Sequence, residues 1–224
     1  MDVSKAKDIL DYWFSKGLYT PDYDKWFMKS QDYDEEIKEK FGELLKEAES
    51  GKGYGWLVSK DSFLAYIILM DQFSRHIYRG TGDSFKNDKG VMIFTELGFE
   101  MYKDDLIGYE FMFAFMPYMH TESLLYQKKG KTIFESYFEN IEKKKVNDLI
   151  QHKNTEITKS ETELLKQYKN QISILNSMKT HLDGHFNVIL NYGRFPKRNN
   201  ALGRISTPSE IEYMNQEHVR NRPY

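Results

Sequence analysis

The sequence predicts an all-α protein, and three observations support this class. Apolar residues recur every three or four positions, helix start and stop signals bracket these stretches, and no alternating strands joined by a hairpin turn are found. The 224 residues are 40% hydrophobic and 29% charged, which is enough apolar material for a sizeable core. We therefore expect one domain over residues 1–224, built from antiparallel helix pairs with short connections.

The composition excludes several classes of protein and of site. The chain has no cysteine, which excludes disulfide scaffolds, thiolate metal sites and cysteine nucleophiles. Its formal net charge of -2 argues against a basic nucleic-acid binder. The sequence contains no 18-residue apolar run that would indicate a membrane span. It also contains no leading apolar stretch that would indicate a signal peptide. We expect a cytoplasmic protein that binds neither nucleic acid nor membrane.

Helix signals begin near the N-terminus. Ser4 can cap a first helix that ends near Gly17. Thr20-Pro21 is typical of an N-cap followed by proline at the first helical position. Residues 34–50 carry an apolar face opposite a Glu/Lys-rich face, with Gly51 after them.

The middle of the chain contains the most apolar predicted helix. Asp61 is its predicted N-cap, residues 62–79 form it and Gly80 closes it. A further helix is expected over residues 85–102.

Pro117 predicts a break in the next helix. Residues 109–116 should form a helix that the proline kinks or ends, because proline removes a backbone donor. Residues 118–129 should then resume as a helix before Gly130.

Two long amphipathic helices are predicted in the C-terminal half. They cover residues 133–152 and 161–192, and the polar stretch near 153–160 is a linker-like segment between them. Gly193 can end the second helix. The capping box opened by Thr207 predicts the start of the final helix.

A stripe of charged residues runs along the most apolar helix. Asp71, Arg75 and Arg79 are spaced i, i+4, i+8, so they share a face. Asp71 and Arg75 could form an ordinary helix pair, with Arg79 capping a neighbouring helix. Alternatively, one or both arginines hold an anion, to which the guanidinium fork is suited.

A second group follows Pro117. His120 and Glu122 are expected beside an irregular turn, where the histidine could act as a general base oriented by a carboxylate. Structural hydrogen bonding of both side chains is the alternative.

The third group is the strongest in the sequence. Residues 191–204 contain Arg194, Lys197, Arg198 and Arg204 and no acidic residue, and they lead into the predicted helix at Thr207. Arginines converging on a helix start are typical of a phosphate or carboxylate site. The alternative is a loop held in place by bonds from arginine to carbonyl and carboxylate groups.

A metal site is not expected. His181 and His185 lie one turn apart, which is a spacing found in metal sites, but the local sequence fixes no third ligand near them. We therefore expect no metal and no cofactor.

Three blocks in this order resemble the family catalogued as domain of unknown function 924, and the opening of the chain fits it as well. The segments that carry the resemblance are Asp71-Gln-Phe-x-Arg-x-Ile-Tyr-Arg-Gly-Thr81, Pro117-Tyr-Met-His-Thr-Glu122, Gly193-Arg-Phe-Pro-x-Arg-Asn-x-x-Leu-Gly-Arg204-x-Ser-Thr, Asp11-Tyr-Trp-Phe14 and Trp26-Phe27.

The resemblance implies a tetratricopeptide-like α-α superhelix, in a mostly bacterial family with no established biochemical activity. It also identifies three departures from the family pattern. Ser74 stands where proline is usual, His76 where asparagine is usual, and Lys197 where histidine is usual. These changes leave the arginines of the three blocks in place.

The leading hypothesis for function is a pocket that binds a small anionic ligand, a phosphate or a carboxylate. The residues expected to line it are Arg75, Arg79, His120, Glu122, His185, Arg194, Arg198 and Arg204. His120 or His185 would transfer protons if a reaction occurs, so whether the protein is an enzyme stays open. One alternative is an interaction module that holds a peptide or C-terminal carboxylate in a groove. Another is that the three blocks only stabilise the fold.

Overall fold

A computed structural model describes residues 2–151, 159–216 and 219, and these residues contain helices and no strand. The all-α prediction is therefore confirmed. The α-helices are α1 (Lys5–Trp13), α2 (Tyr23–Phe27), α3 (Gln31–Glu49), α4 (Lys60–Ile67), α5 (Ser74–Ile77), α6 (Asp88–Tyr102), α7 (Tyr109–His120), α8 (Leu124–Gln151), α9 (Lys159–Tyr192) and α10 (Pro208–Asn215). Most of the linker-like stretch predicted near 153–160 lies outside the described residues.

The core is centred on α7, which is buried on all its sides. Every residue of this helix is buried, and Phe111, Phe113 and Phe115 have no exposed surface. A helix that is apolar all round needs partners on every side. Helices α4, α6, α8 and α9 supply them. One continuous apolar cluster runs from Ala6 in α1 to Leu182 in α9.

The predicted helix over 62–79 is real but differs in its start and its interior. It starts at Lys60, because Ser59 and Ser62 form a capping box, so the prediction that Asp61 is the cap is wrong. The π-helical segment Ile68–Phe73 separates α4 from α5. The helical hydrogen bonding then ends at Ile77, two residues before the predicted end.

The predicted break at Pro117 is wrong. Helix α7 runs through Pro117 to His120, and the Thr121 amide donates to the Pro117 carbonyl at 3.1 Å. Packing of α7 against four neighbouring helices offsets the one backbone bond that proline cannot make. The chain leaves the helix at Thr121 instead.

The predicted end near Gly130 is also wrong, because α8 is continuous through this glycine. A Cβ atom at Gly130 would lie 2.8 Å from the Cβ of Tyr118, so the glycine permits close contact between α7 and α8. Residues predicted as two helices, 118–129 and 133–152, are therefore the end of α7 and one long α8.

The predicted start of α1 after Ser4 is correct, whereas the starts of α2 and α3 are displaced. Ser4 precedes α1 but bonds Asp2 instead of capping the helix, and α2 begins after Asp22 instead of at Thr20-Pro21. Ser30 caps α3, four residues before the expected start. At α3 the side chain of Ser30 accepts from the Tyr33 amide and so caps the helix before the residue that the local pattern indicates.

Two C-terminal predictions are confirmed. Gly193 ends α9 with a φ of 67°, a left-handed conformation that suits glycine. Thr207 and Glu210 form the capping box of α10.

Successive helices α6, α7, α8 and α9 pack as neighbours, which is compatible with the tetratricopeptide-like arrangement that the resemblance implies. That finer description stays a prediction. Within the described ranges, no helix has the length and apolar character needed to cross a membrane.

We expect Gly98→Ala to lower the free energy of unfolding by about 1–3 kcal/mol, because its Cβ atom would overlap the buried ring of Phe63. The matched variant Gly90→Ala lies in the same helix, with nothing within 4 Å of its Cβ, and should stabilise by up to about 1 kcal/mol. Urea denaturation measures both. A Gly98→Ala protein as stable as the parent would contradict the close packing of α4 against α6.

Candidate functional site

The carboxylate of Asp71 is buried inside the π-helical segment. Both of its oxygens lie 2.8 Å from Nδ1 of His120 in α7, and its Oδ1 accepts from Nη2 of Arg75 at 2.9 Å. The Gln72 amide donates to Oδ2 at 2.5 Å. A π-helical turn inside a longer helix frequently accompanies a functional site.

This arrangement fixes the ionisation of both groups. Burial alone raises the pKa of Asp71, but His120 and Arg75 outweigh it and hold the pKa well below its usual range. Burial lowers the pKa of His120 below its usual value, so its imidazole is neutral at pH 7. Nδ1 carries the proton that is donated to Asp71, which leaves Nε2 as an acceptor.

Asp88, at the start of α6, joins two arginines from distant parts of the chain. Nη2 of Arg75 donates to its Oδ1 at 2.8 Å, and Nη1 of Arg198 donates to its Oδ2 at 2.8 Å. The Arg198 guanidinium lies 4.4 Å from the ring centre of Phe85 and 4.5 Å from that of Phe195. Contacts of this kind with two rings restrict the position of a guanidinium.

Arg198 also reaches the end of α7, where its Nη2 donates to the His120 carbonyl at 2.9 Å. About a tenth of its side chain remains exposed, as does 15% of the Arg75 side chain. The two guanidinium groups thus lie at the edge of the core.

His185 of α9 completes the group. Its ring centre is 6.1 Å from that of His120 and 5.6 Å from that of Phe195, and its Nδ1 donates to the His181 carbonyl at 2.8 Å. Burial, together with His120 and Arg198, lowers the pKa of His185 to about 3. We call this group the central cluster, which consists of Asp71, Arg75, Asp88, His120, His185 and Arg198.

Glu122 lies beside the central cluster but binds Arg204 instead of a member of the cluster. Its carboxylate accepts from Nη1 and Nη2 of Arg204 at 2.8 and 3.0 Å, and from the Phe195 amide at 2.8 Å. Burial raises the pKa of Glu122, and Arg204 and the amide more than offset this, so the carboxyl is ionised at pH 7. The carboxylate that orients His120 is therefore Asp71 and not Glu122.

Arg194 supports the start of α10. Its Nε and Nη2 donate to Glu210 at 2.6 and 2.8 Å, and Nη2 also donates to the Ile205 carbonyl at 2.9 Å. Glu210 in turn accepts from the Thr207 amide at 2.7 Å in the capping box. Arg194 is the one predicted arginine that contacts this capping box, whereas Arg198 and Arg204 bind elsewhere.

Arg79 does not join the other predicted residues. It follows the end of α5, and its Nε and Nη2 donate to Asp34 of α3 at 2.5 and 2.8 Å. The same carboxylate lies 2.7 Å from Nδ1 of His76. The i, i+8 spacing from Asp71 to Arg79 fails as a guide because the helix ends at Ile77.

The structure therefore divides the eight predicted residues. Arg75, His120, His185 and Arg198 meet in the central cluster. The pair of Arg204 and Glu122 is adjacent to it. Arg194 pairs with Glu210 of α10, and Arg79 pairs with Asp34 of α3.

Sequence reasoning missed Asp88 and the rings of Phe85 and Phe195. Asp88 has the pattern of an ordinary acidic residue in the first turn of a helix, and the two rings have the pattern of core residues.

Among the described residues, no group of three or more His, Asp and Glu side chains is arranged to hold a metal ion.

The comparisons with known proteins agree with the three motif blocks. A family model described as "bacterial protein of unknown function (DUF924)" matches residues 9–218. The chain belongs to this family. The match includes all eight predicted site residues, so the central cluster of this DUF924 protein lies wholly within the family region.

A solved structure has the same fold. "Structure of Protein of Unknown Function ATU0120 from Agrobacterium tumefaciens" is 25% identical, covers 95% of this chain and 97% of its own, and superposes with a TM-score of 0.67. No curated protein matches the DUF924 chain.

We expect Asp71→Asn to lower the free energy of unfolding by about 3–5 kcal/mol, because Arg75 and Arg198 would then share the single carboxylate of Asp88 and one largely buried positive charge would be uncompensated. Urea denaturation measures the loss. The control is Glu43→Gln, which removes an exposed ion pair with Lys46 and should cost under about 1 kcal/mol. A loss below 1 kcal/mol in Asp71→Asn would contradict the network.

We also expect acid to destabilise the protein in a way that His185 controls. Its pKa in the folded state, about 3, is below the unfolded value near 6.5, so the unfolded chain binds more protons below pH 6.5. Stability is present above that pH and is lost as the pH falls towards 3. His185→Gln should flatten this dependence when the melting temperature is measured from pH 7.5 to pH 4.5. An unchanged slope would count against the burial of the imidazole.

Proposed function

We propose that the central cluster binds a small anion, a phosphate or a carboxylate, and that an imidazole takes up a proton on binding. The observation that carries the proposal is the meeting of Arg75 and Arg198 at one carboxylate, beside two neutral imidazoles. These groups come from α5, α6, α7, α9 and the loop after α9. Guanidinium forks and imidazoles together are suited to oxyanions.

Arg198 is the residue best placed to receive the ligand. Its hydrogen bonds to Asp88 and to the His120 carbonyl use two of the five N–H groups of the guanidinium. The rings of Phe85 and Phe195 hold the side chain in position before any ligand arrives. Such preorganisation lowers the entropic cost of binding.

The charges of the central cluster explain why a proton should accompany the anion. Asp71 and Asp88 balance Arg75 and Arg198, so an anion that entered alone would leave a net negative charge near the core. Protonation of His185 or His120 would restore the balance and add a donor at Nε2. The pKa values of His185 and His120 are both lowered in the ligand-free protein, so neither imidazole carries the additional proton beforehand. The proton must therefore come from solvent.

The strength of binding can be bounded. A hydrogen bond to a charged group contributes about 1.5–3 kcal/mol, so two or three of them support binding in the millimolar to micromolar range.

Proton transfer through His120, which Asp71 orients, is the chemistry that would be available to a bound anion.

A second candidate is favoured by a specific observation. Arg75, Arg194, Arg198 and Arg204 each pair with a carboxylate at 2.9 Å or less. In this alternative, the three motif blocks fasten residues 193–207 onto the ends of α6 and α7, and no ligand binds. The peptide-binding alternative rests on fold analogy and stays a prediction, as does the cytoplasmic location.

The test is a thermal-shift titration with inorganic phosphate, pyrophosphate and citrate, against sodium chloride at equal ionic strength. An anion at a hundred times its dissociation constant should stabilise by about 2.7 kcal/mol, or raise the melting temperature by about 5–10 °C. The shift should be larger at pH 6 than at pH 8, because the proton is taken up more readily at the lower pH.

Variants separate the two candidates. Arg198→Lys keeps the charge but not the fork, so it should abolish the shift, whereas the matched variant Arg79→Lys, outside the central cluster, should keep it. If no anion raises the melting temperature and Arg198→Lys still destabilises by more than about 2 kcal/mol, the structural candidate is correct and ligand binding is excluded.

A further inference from the structure

Helix α6, which lies between the first and second motif blocks, exposes a stripe of large apolar side chains that belongs to none of the three blocks. Ile93, Leu97 and Met101 recur every four residues and are 55%, 46% and 56% exposed. The opposite side of the same helix, with Val91 and Phe99, is buried in the core. Single exposed apolar residues are ordinary on a protein surface, but three in succession on one helix face indicate a contact surface.

Exposed apolar residues also occur on two elements that contact other sides of α6. Val58 is 71% exposed, and its short helical turn is tied to the C-terminal end of α6, where the Tyr102 hydroxyl donates to the Leu57 carbonyl at 2.7 Å. Leu125 of α8 is 73% exposed and lies one turn before Lys129, which pairs with Glu96. We call the stripe on the helix itself the α6 face, which consists of Ile93, Leu97 and Met101.

The charges at the two ends of α6 are opposite. Lys89 is exposed at the N-terminal end, and Asp105 is exposed just beyond the C-terminal end, where its neighbour Asp104 already pairs with Lys103 at 3.9 Å. A second α6 laid antiparallel across the first would bring Lys89 of each chain near Asp105 of the other. Between these ends, Lys129 of the same chain already neutralises Glu96.

We propose that the α6 face binds a second copy of this chain, with the two α6 helices antiparallel and Leu97 on the two-fold axis. In this arrangement Leu97 packs on its own copy, and Ile93 of one chain packs on Met101 of the other. A surface that is complementary to itself in this way is what a two-fold dimer requires. The inference is independent of the anion proposed for the central cluster.

The size of the face indicates how strong the dimer is. Fifteen helical residues span about 22 Å and a helix is about 10 Å wide, so the exposed stripe covers far less than the face of about 800 Å² per partner that a standard interface buries. We therefore expect dissociation in the micromolar range, with monomer and dimer exchanging.

The absence of cysteine allows a direct test, because a single introduced thiol can report on one position. Under mild oxidation, Leu97→Cys should form a disulfide-linked dimer, because the two-fold axis brings position 97 of both chains within reach. Ile93→Cys should not link to itself, because its two copies lie about 12 Å apart along the helices. A mixture of Ile93→Cys and Met101→Cys chains should link to each other.

The matched control is Leu190→Cys, since Leu190 of α9 is 53% exposed but lies outside the α6 face. Linking at Leu97 no faster than at Leu190, or self-linking at Ile93, would overturn the antiparallel arrangement.

Sedimentation of the full chain between about 1 and 100 μM gives a second readout. Average mass should rise with concentration. Leu97→Glu should weaken dimerisation at least tenfold, whereas Leu190→Glu should leave it unchanged. A chain that stays monomeric over this range, or a dimer that Leu97→Glu does not affect, would overturn the proposal and leave the α6 face to a different protein.

Discussion

The arrangement of the central cluster depends on the buried carboxylate of Asp71. It is 1% exposed, and an ionised carboxylate in such a place is very costly unless cations and donors surround it. His120 and Arg75 meet this requirement, and the second contact of Arg75 brings in Asp88. Asp88 then positions Arg198. Each charge thus determines where the next one can lie.

This series of contacts links parts of the chain that are distant in sequence. Asp88 and Arg198 are separated by 110 residues, and Glu122 and Arg204 by 82. Buried ion pairs are weak evidence for stability, because the cost of removing two charges from water often exceeds their attraction. Their clearer effect here is geometric. They allow one path for the loop after α9, since any other path would leave a buried charge without a partner.

The sequence predicts the fold class better than the boundaries of its helices. Apolar periodicity identifies α3, α9 and the second part of α8, because each has a long solvated face. It cannot say that α7 passes through Pro117, because packing from four neighbouring helices decides that outcome. Gly130 fails as a stop signal for a similar reason: close contact with Tyr118 requires a glycine inside α8.

The same distinction holds for the candidate site. The pair of Asp71 and Arg75 follows from i, i+4 spacing, and the structure contains it at 2.9 Å. Arg79 continues the four-residue spacing in the sequence, but the helix ends at Ile77, before it reaches Arg79. Asp88 has no local signal, because its role depends on two arginines that only the tertiary fold brings to it. Local rules therefore find contacts within one helix and miss those made between elements.

The π-helical segment connects the contacts made within one helix to the contacts made between elements. In α4 every side chain from Ser62 to Ile67 is buried, so a charged stripe has no place on that helix. One additional residue per turn rotates the following side chains by about 100° relative to a regular helix. That rotation places Arg75 at the edge of the core, where it reaches Asp88, while Asp71 stays inside beside His120. A regular helix of the same sequence would keep Asp71 and Arg75 as an i, i+4 pair but would rotate the pair relative to α4, so that it would no longer face both His120 and Asp88. The irregular turn is thus the element that allows a charge in the interior to be coupled to arginines in contact with solvent.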